Sequence, residues 1–444
     1  MNAHSLPLAL LLGVGLVGCA KAPEPPAAEV RVQFDAAGKT QVYARGWADR
    51  TAGRKVTAED PVRIASVSKL VLSIGLLRLV EQGLLDLDRD VSDYLGWPLR
   101  HPLHPEEPIT LRLLMSHLSG LTDEAGYVSH TNTQTREQVA DAKAWNEDYA
   151  PGEWFQYTNL NFVVVAAIME RVTGERFDRL MDRLVLEPLD IDACYNWASC
   201  SDQAIGRAVV IYRANGEVGV DDLQGKRPDC PVVAAPDGSC DLAAWQPGEN
   251  GGLFGPQGGL RISALDLAKI GRLLLNGGEL EGVRLLKPES VDEMFRPLWE
   301  FNGVNGATYE AEMGDPGGAF FCRYGLATQT LATPRPVCDD DGWGDGIERV
   351  GHGGDAYGLV SGLWIDRASG TGTAYFITGG DLTRKGRHSA FYAVEEELRC
   401  RARIPPTRRW PPGRCAGPGR RWPARGRRPG ARRDPRVRRW RCCG

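Results

Sequence analysis

The sequence contains no H-E-x-x-H and no C-x-x-C, and its seven histidines are scattered, so the usual helical and knuckle frameworks for zinc are missing. His101 and His104 stand close together in "HPLHPEEP", but the surrounding prolines interrupt the helix that would align two imidazoles on one ion. There is no G-x-S-x-G elbow, which disfavours an α/β-hydrolase. No repeat is visible, which argues against a solenoid or propeller. The apolar run near the N-terminus is about a dozen residues long, short of the roughly 20 that a bilayer-spanning helix needs. Acidic residues almost vanish after Arg401, where arginine, proline, glycine and tryptophan dominate and Asp434 is the one acid.

That last asymmetry makes the formal net charge of −4 an average of two unlike regions. The body is distinctly acidic, which argues against nucleic acid as its partner. Residues 401–444 cannot form an apolar core and read as a disordered or non-native basic extension. With 444 residues, 42% hydrophobic and 25% charged, the remainder is an ordinary globular composition able to bury a large core. Residues 1–19 read as an export leader ending at Leu16-Val17-Gly18-Cys19. This ending resembles a bacterial lipobox, in which Cys19 becomes the lipidated first residue, although the n-region "MNAHS" lacks lysine and arginine. Residues 20–29 form a Pro/Ala tether, and the expected location is the cell envelope, lipid-anchored on the periplasmic side or else secreted. Six cysteines of the body fall into local pairs, 194 with 200, 230 with 240 and 322 with 338, the simplest disulfide pairing in an oxidising compartment.

Periodicity outlines the elements. Alternation on both sides of Ala-Gly-Lys predicts a hairpin from about Val30 to Trp47. Apolar residues at helical spacing predict helices in "NLNFVVVAAIMERVTGERF" and in "SALDLAKIGRLLLNGG", the latter opened by Ser263. Strands return at "ERVGHGG", "YGLVSGLWID" and "GTAYFITGG", before a last helix in "HSAFYAVEEELRC". Strands at both ends with helices between them predict an α/β (α+β) fold: an antiparallel sheet flanked by helices, with an inserted, mainly helical subdomain, over residues 30–400.

Chemistry enters at "SVSKLVLSIGLLRLVEQGLL", where Ser66 and Lys69 stand three apart at the mouth of an apolar helix and therefore on one face. A hydroxyl needs a base at neutral pH, and a lysine serves once its pKa of about 10.4 has fallen by roughly three units, a cost of about 4 kcal/mol. Ser68 points to another face, which leaves Ser66 as the nucleophile. Two later segments join this pair: "EWFQYTNLNF", with Tyr157 and Asn159 before a helix, and "RVGHGGDAYGLVSGLWID", with His352, Gly353 and Gly354 on a strand. Singly, these could be a buried tyrosine, a helix cap and a turn. In this order, S-x-x-K, Y-x-N and H-x-G make the chain resemble the serine β-lactamase and penicillin-binding-protein superfamily, and within it the class C-like branch of β-lactamases, D,D-peptidases and esterases. The resemblance extends over about Val30 to Arg399 through "LLDLDRDVSDYL", "ITLRLLMSHLSGL" and "GGLRISALDLAKIGRLLLNGG".

That resemblance implies a serine hydrolase working through an acyl-enzyme on a small-molecule or peptide substrate, without metal or cofactor. Ser66 attacks, Lys69 takes its proton, and Tyr157 relays protons to the leaving group. Asn159, His352, Gly353, Gly354 and Asp355 then contact substrate, with the backbone N–H groups of Ser66 and Asp355 forming the oxyanion site. Histidine at 352, where many β-lactamases carry lysine, is mostly neutral at pH 7 and tilts the expectation towards D-amino-acid peptides or carboxylic esters. His117, in "SHLSGL", is expected to pack or cap a loop. The alternative function is a noncatalytic envelope binding or sensor protein that retains the fold.

Overall fold

The computed structural model describes residues 25–309 and 318–401. The leader with Cys19, most of the tether and the basic extension after 401 lie outside the described residues.

The hairpin forms from Ala28–Asp35 and Thr40–Asp49. Its turn is tied by Asp35, whose carboxylate accepts from the Lys39 amide at 2.9 Å, while Gly38 takes φ +94°, a value that suits glycine. Ala28–Asp35 pairs on its other side with Thr371–Thr378, near the end of the fold. The first and last strands among the described residues thus meet in the middle of one antiparallel nine-stranded sheet. Its order is Trp299–Glu300, Arg323–Tyr324, Gln329–Leu331, Arg349–Ala356, Leu359–Asp366, Thr371–Thr378, Ala28–Asp35, Thr40–Asp49, Arg54–Lys55. Arg349–Ala356 turns into Leu359–Asp366 through Tyr357 and Gly358, both at positive φ.

The Val67–Glu81 helix is buried along nearly its whole length, including Ser68, Lys69 and Ser73. It touches the sheet at Arg349–Ala356 and Leu359–Asp366 and the helical subdomain at residues 182–186. A helix covered along most of its faces has no use for a polar stripe, which explains its mainly apolar sequence. The Ala264–Leu275 helix, capped by Ser263 accepting from the Asp266 amide at 3.0 Å, packs on Thr371–Thr378 and Ala28–Asp35. Gly271 lets it come close, since a Cβ there would lie 2.2 Å from Phe34 Cζ. The Leu160–Thr173 helix closes at Gly174, φ +69°. All three expected disulfides are present, 194–200, 230–240 and 322–338.

The last helix is shorter than its sequence pattern, running only over Ala393–Cys400. Glu395 closes a capping box on Tyr392, which fixes the helix start there. Glu396 meanwhile accepts from the Arg387 amide at 2.6 Å and the Ser389 hydroxyl at 2.7 Å, folding the preceding residues back as a loop.

Candidate active site

The short strand Val62–Arg63 pairs with Leu260–Ile262 and leads into Ala65, held at φ +46°. A left-handed turn at a residue with a Cβ is strained, and here it sets the direction in which the chain enters the helix. Ser66 then stands at the helix start without capping it. Its Oγ lies 2.8 Å from Lys69 Nζ, and the lysine side chain is fully enclosed. Lys69 Nζ also donates to Asn159 Oδ1 at 2.7 Å and to the Gln257 carbonyl at 2.9 Å. Two carbonyl oxygens take two hydrogens of an amine, which leaves its third direction for the serine hydroxyl.

Asn159 is held in turn by Asp123. The Asp123 carboxylate accepts from Asn159 Nδ2, the Asn159 amide and the Leu160 amide, each at 2.9 Å. These bonds join the carboxylate to the first turn of the Leu160–Thr173 helix and orient the Asn159 side chain with Oδ1 facing Lys69. Burial raises the Asp123 pKa, and the two amides pull it back. Tyr157 lies between two rings, stacked on His117 at 4.3 Å and on Phe321 at 4.9 Å between centroids. Lys69 Nζ is 4.9 Å from the Tyr157 ring centre, so serine, lysine, tyrosine and asparagine converge at one point.

Behind them runs a directed chain of hydrogen bonds. The Thr158 amide donates to His117 Nδ1 at 2.9 Å, which puts the His117 hydrogen on Nε2, 3.2 Å from the Tyr324 hydroxyl. Tyr324 then donates to His352 Nε2 at 2.8 Å, and His352 Nδ1–H donates to the Gly353 carbonyl. Every ring in the chain is buried. Burial, followed by the charge of Lys69, holds the His352 pKa down to about 3, and the same two causes with His352 added keep His117 well below its ordinary value. The third motif therefore presents a neutral ring.

Gly354 is the point where this strand meets the turn that carries Ser66. A Cβ there would lie 2.5 Å from the Ile64 carbonyl and 3.1 Å from the Ser66 amide. Gly353 meets nothing closer than 3.7 Å and lines a narrow pocket that Ser66 shares with Phe320, Phe321, His352 and Phe391. The Asp355 carboxylate accepts from the Tyr392 hydroxyl at 2.9 Å, and burial raises its pKa. On its other side Ser66 opens into a larger cleft of about 1620 Å³, with Asn159, Tyr127 and Tyr357 among its walls. His101 and His104 lie with ring centres 4.9 Å apart, but both His101 nitrogens are engaged, Nε2 with the Asn146 carbonyl and Nδ1 with the Leu103 amide.

Residues 34–396 match the family described as Beta-lactamase. The chain belongs to that family. Among its beta-lactamase family relatives, the lovastatin esterase of Penicillium rubens is 29% identical over 362 residues, covering 73% of this chain and 82% of the esterase. Esterase EstB of Burkholderia gladioli is 32% identical over 166 residues, 34% of this chain and 42% of that enzyme. The D-alanyl-D-alanine-carboxypeptidase/endopeptidase AmpH of Escherichia coli (strain K12) is 31% identical over 164 residues, 34% of this chain and 41% of that enzyme. In fold, the chain is similar to a D-amino acid amidase from Ochrobactrum anthropi SV3, with TM-score 0.59 and 21% identity over 84% of this chain and 91% of the amidase. It is also similar to the octameric penicillin-binding protein homologue from Pyrococcus abyssi, with TM-score 0.56 and 19% identity over 80% and 70%. The protein is a serine hydrolase of beta-lactamase fold.

Within this beta-lactamase frame, the seven other catalytic and substrate-contact residues named from the sequence gather around Ser66. Asp123, Gln257, Phe321 and Tyr324 were not foreseen. Asp123 sits in "SGLTDEAG", whose turn composition gives no hint of a helix it joins from 36 residues away. Gln257 acts through its carbonyl, which leaves no trace in residue identity. His117 packs as expected, but against the phenol of Tyr157 itself.

Proposed function

We propose that this protein cleaves carboxylic esters or amides through an acyl-enzyme on Ser66. The observation that carries the reading is Lys69, enclosed, with two hydrogens given to Asn159 and Gln257 and its remaining direction on Ser66 Oγ. Lys69 takes the hydroxyl proton as Oγ bonds to the acyl carbon, and Tyr157 passes a proton to the departing alcohol or amine. Water then adds to the acyl group, its proton returns through the same residues to Ser66 Oγ, and the acid leaves. Backbone N–H groups of Ser66 and Asp355 serve the oxyanion, a contribution of about 3 kcal/mol per donor in comparable sites. The neutral His352 gives no fixed cation for a substrate carboxylate at the third motif, which favours esters or D-amino-acid peptides over β-lactams. The long match to an enzyme named lovastatin esterase supports an ester.

The test is turnover of p-nitrophenyl esters, a D-Ala-D-Ala peptide and nitrocefin by the full-length chain, with fluorophosphonate labelling alongside. Ester turnover and labelling are both lost in Ser66→Ala. Labelling that persists in that variant refutes the nucleophile. We further propose that Cys19 carries a lipid and that the fold acts in the cell envelope, a location that three disulfides suit. Palmitate incorporation that survives Cys19→Ser removes that assignment.

A further inference from the structure

The large cleft beside Ser66 holds a cation that the hydrolytic machinery does not use. Arg63 ends the strand that delivers the nucleophile, three residues before Ser66, and both residues line this cleft. Its Nε donates to the Gly258 carbonyl at 3.0 Å, and its guanidinium rests on the Tyr357 ring at 4.9 Å. These two contacts set the direction of the side chain. Among the described residues, no hydrogen bond or ion pair reaches its two Nη atoms.

The carboxylate that pulls on Arg63 most is Asp221, and the hydrogen bonds that Asp221 accepts come from other residues. Its Oδ1 accepts from Arg261 Nη2 at 3.0 Å and from Trp197 Nε1 at 2.8 Å. Arg261 in turn gives its Nη hydrogens to Asp221, Asn196 and the Gly259 carbonyl. Two guanidinium groups thus share one carboxylate, which leaves about one positive charge unbalanced at the cleft wall. Burial and the neighbouring Arg261 lower the Arg63 pKa to about 10, so the group still carries its proton at neutral pH. The other acids on the cleft do not cancel it: Asp222 is exposed to water, and Asp355 is turned to Tyr392.

We infer that Arg63 is an anion anchor, and that the natural substrate is an ester or amide bearing a carboxylate on the portion that enters the large cleft. The inference rests on the hydrolase reading for its substrate, and it moves the recognition charge from the third motif to the strand before the nucleophile. A planar fork with two open Nη donors fits a carboxylate side-on.

The test reads binding, not turnover. Full-length Ser66→Ala is titrated calorimetrically with two matched pairs: 4-acetoxybenzoate against its methyl ester, and monophenyl adipate against its methyl ester. These put the charge on the leaving side and on the acyl side respectively. Ser66→Ala binds at least one anion about 10-fold or more tightly than its neutral partner, as a charge-assisted bond implies. The preference disappears in Ser66→Ala/Arg63→Gln and is partly kept in Ser66→Ala/Arg63→Lys. Equal binding of both pairs by Ser66→Ala, or an undiminished preference in the glutamine variant, overturns the inference. A chain without turnover that still prefers the anion refutes the hydrolase reading alone, whereas turnover without preference refutes the anchor alone.

Discussion

His352 and His117 are neutral because they are buried, and this makes the fold acid-sensitive by an amount that the pKa shift sets. A histidine whose pKa is depressed in the folded state leaves stability intact above the unfolded value and removes it as pH falls towards the folded one. For His352 the window runs from 6.5 down to about 3. At pH 5 the unfolded side chain is almost fully protonated and the folded one is not, a difference of about 2 kcal/mol that is nearly absent at pH 7. Glu170 works in the opposite direction: burial raises its pKa to about 8, so its contribution is present at low pH and lost as pH rises through that value. A single pH profile mixes the two effects, and a comparison with His352→Gln separates them. Guanidinium unfolding at pH 7 and pH 5, at fixed salt, gives the gap in stability between wild type and variant. That gap narrows by about 2 kcal/mol at pH 5. An unchanged gap refutes the assignment of a buried neutral imidazole at 352.

Other consequences stem from the supports of the site. Asp123→Asn removes the carboxylate from three N–H donors; stability falls by about 2–3 kcal/mol, and kcat for a p-nitrophenyl ester falls more than KM rises, whereas an unaltered kcat removes Asp123 from the positioning of Asn159. Gly354→Ala forces a Cβ to within 2.5 Å of the Ile64 carbonyl and shifts the Ser66 turn; a displacement near 1 Å costs about 100-fold in kcat, and a fully active variant shows that strand and turn are not in register through this glycine. Cys322→Ser/Cys338→Ser opens a link between residues 16 apart, worth about 3 kcal/mol; denaturant midpoints fall for the oxidised protein only, and ester KM rises because Phe320 and Phe321 adjoin the link.

The parts of the fold legible in sequence are those with a period and a stop signal. The hairpin at Ala28–Asp35 alternates and carries Gly38 in its turn, and the Ala264–Leu275 helix announces itself with Ser263 and closing glycines. The three sheet strands from Arg349 to Thr378 are separated by glycine turns. Trp299–Glu300, Arg323–Tyr324 and Gln329–Leu331 are two or three residues long. No alternation can show in so few residues, and their place at the sheet edge is set by contacts with distant chain. The shortened last helix has the same origin, since Glu396 is recruited by the loop before it and not by helical neighbours.

In the site, the residues visible in advance were those to which a chemical role can be assigned from spacing, whereas the residues that hold them were hidden. Ser66 and Lys69 share a helix, so one turn of geometry relates them without any knowledge of the fold. Asp123, Gln257 and Tyr324 reach the same centre from separate loops and a two-residue strand, and two of the three interactions depend on backbone atoms. This division explains why the neutral state of His352 could be only half foreseen. Histidine at that position made a weak cation predictable from its ordinary pKa. Its neutral state depends on enclosure and on the charge of Lys69, which a different element brings beside it. With the ring fixed as an acceptor to Tyr324 and uncharged, it offers no cation to a substrate anion, which is why the proposed anion anchor lies on another wall of the cleft.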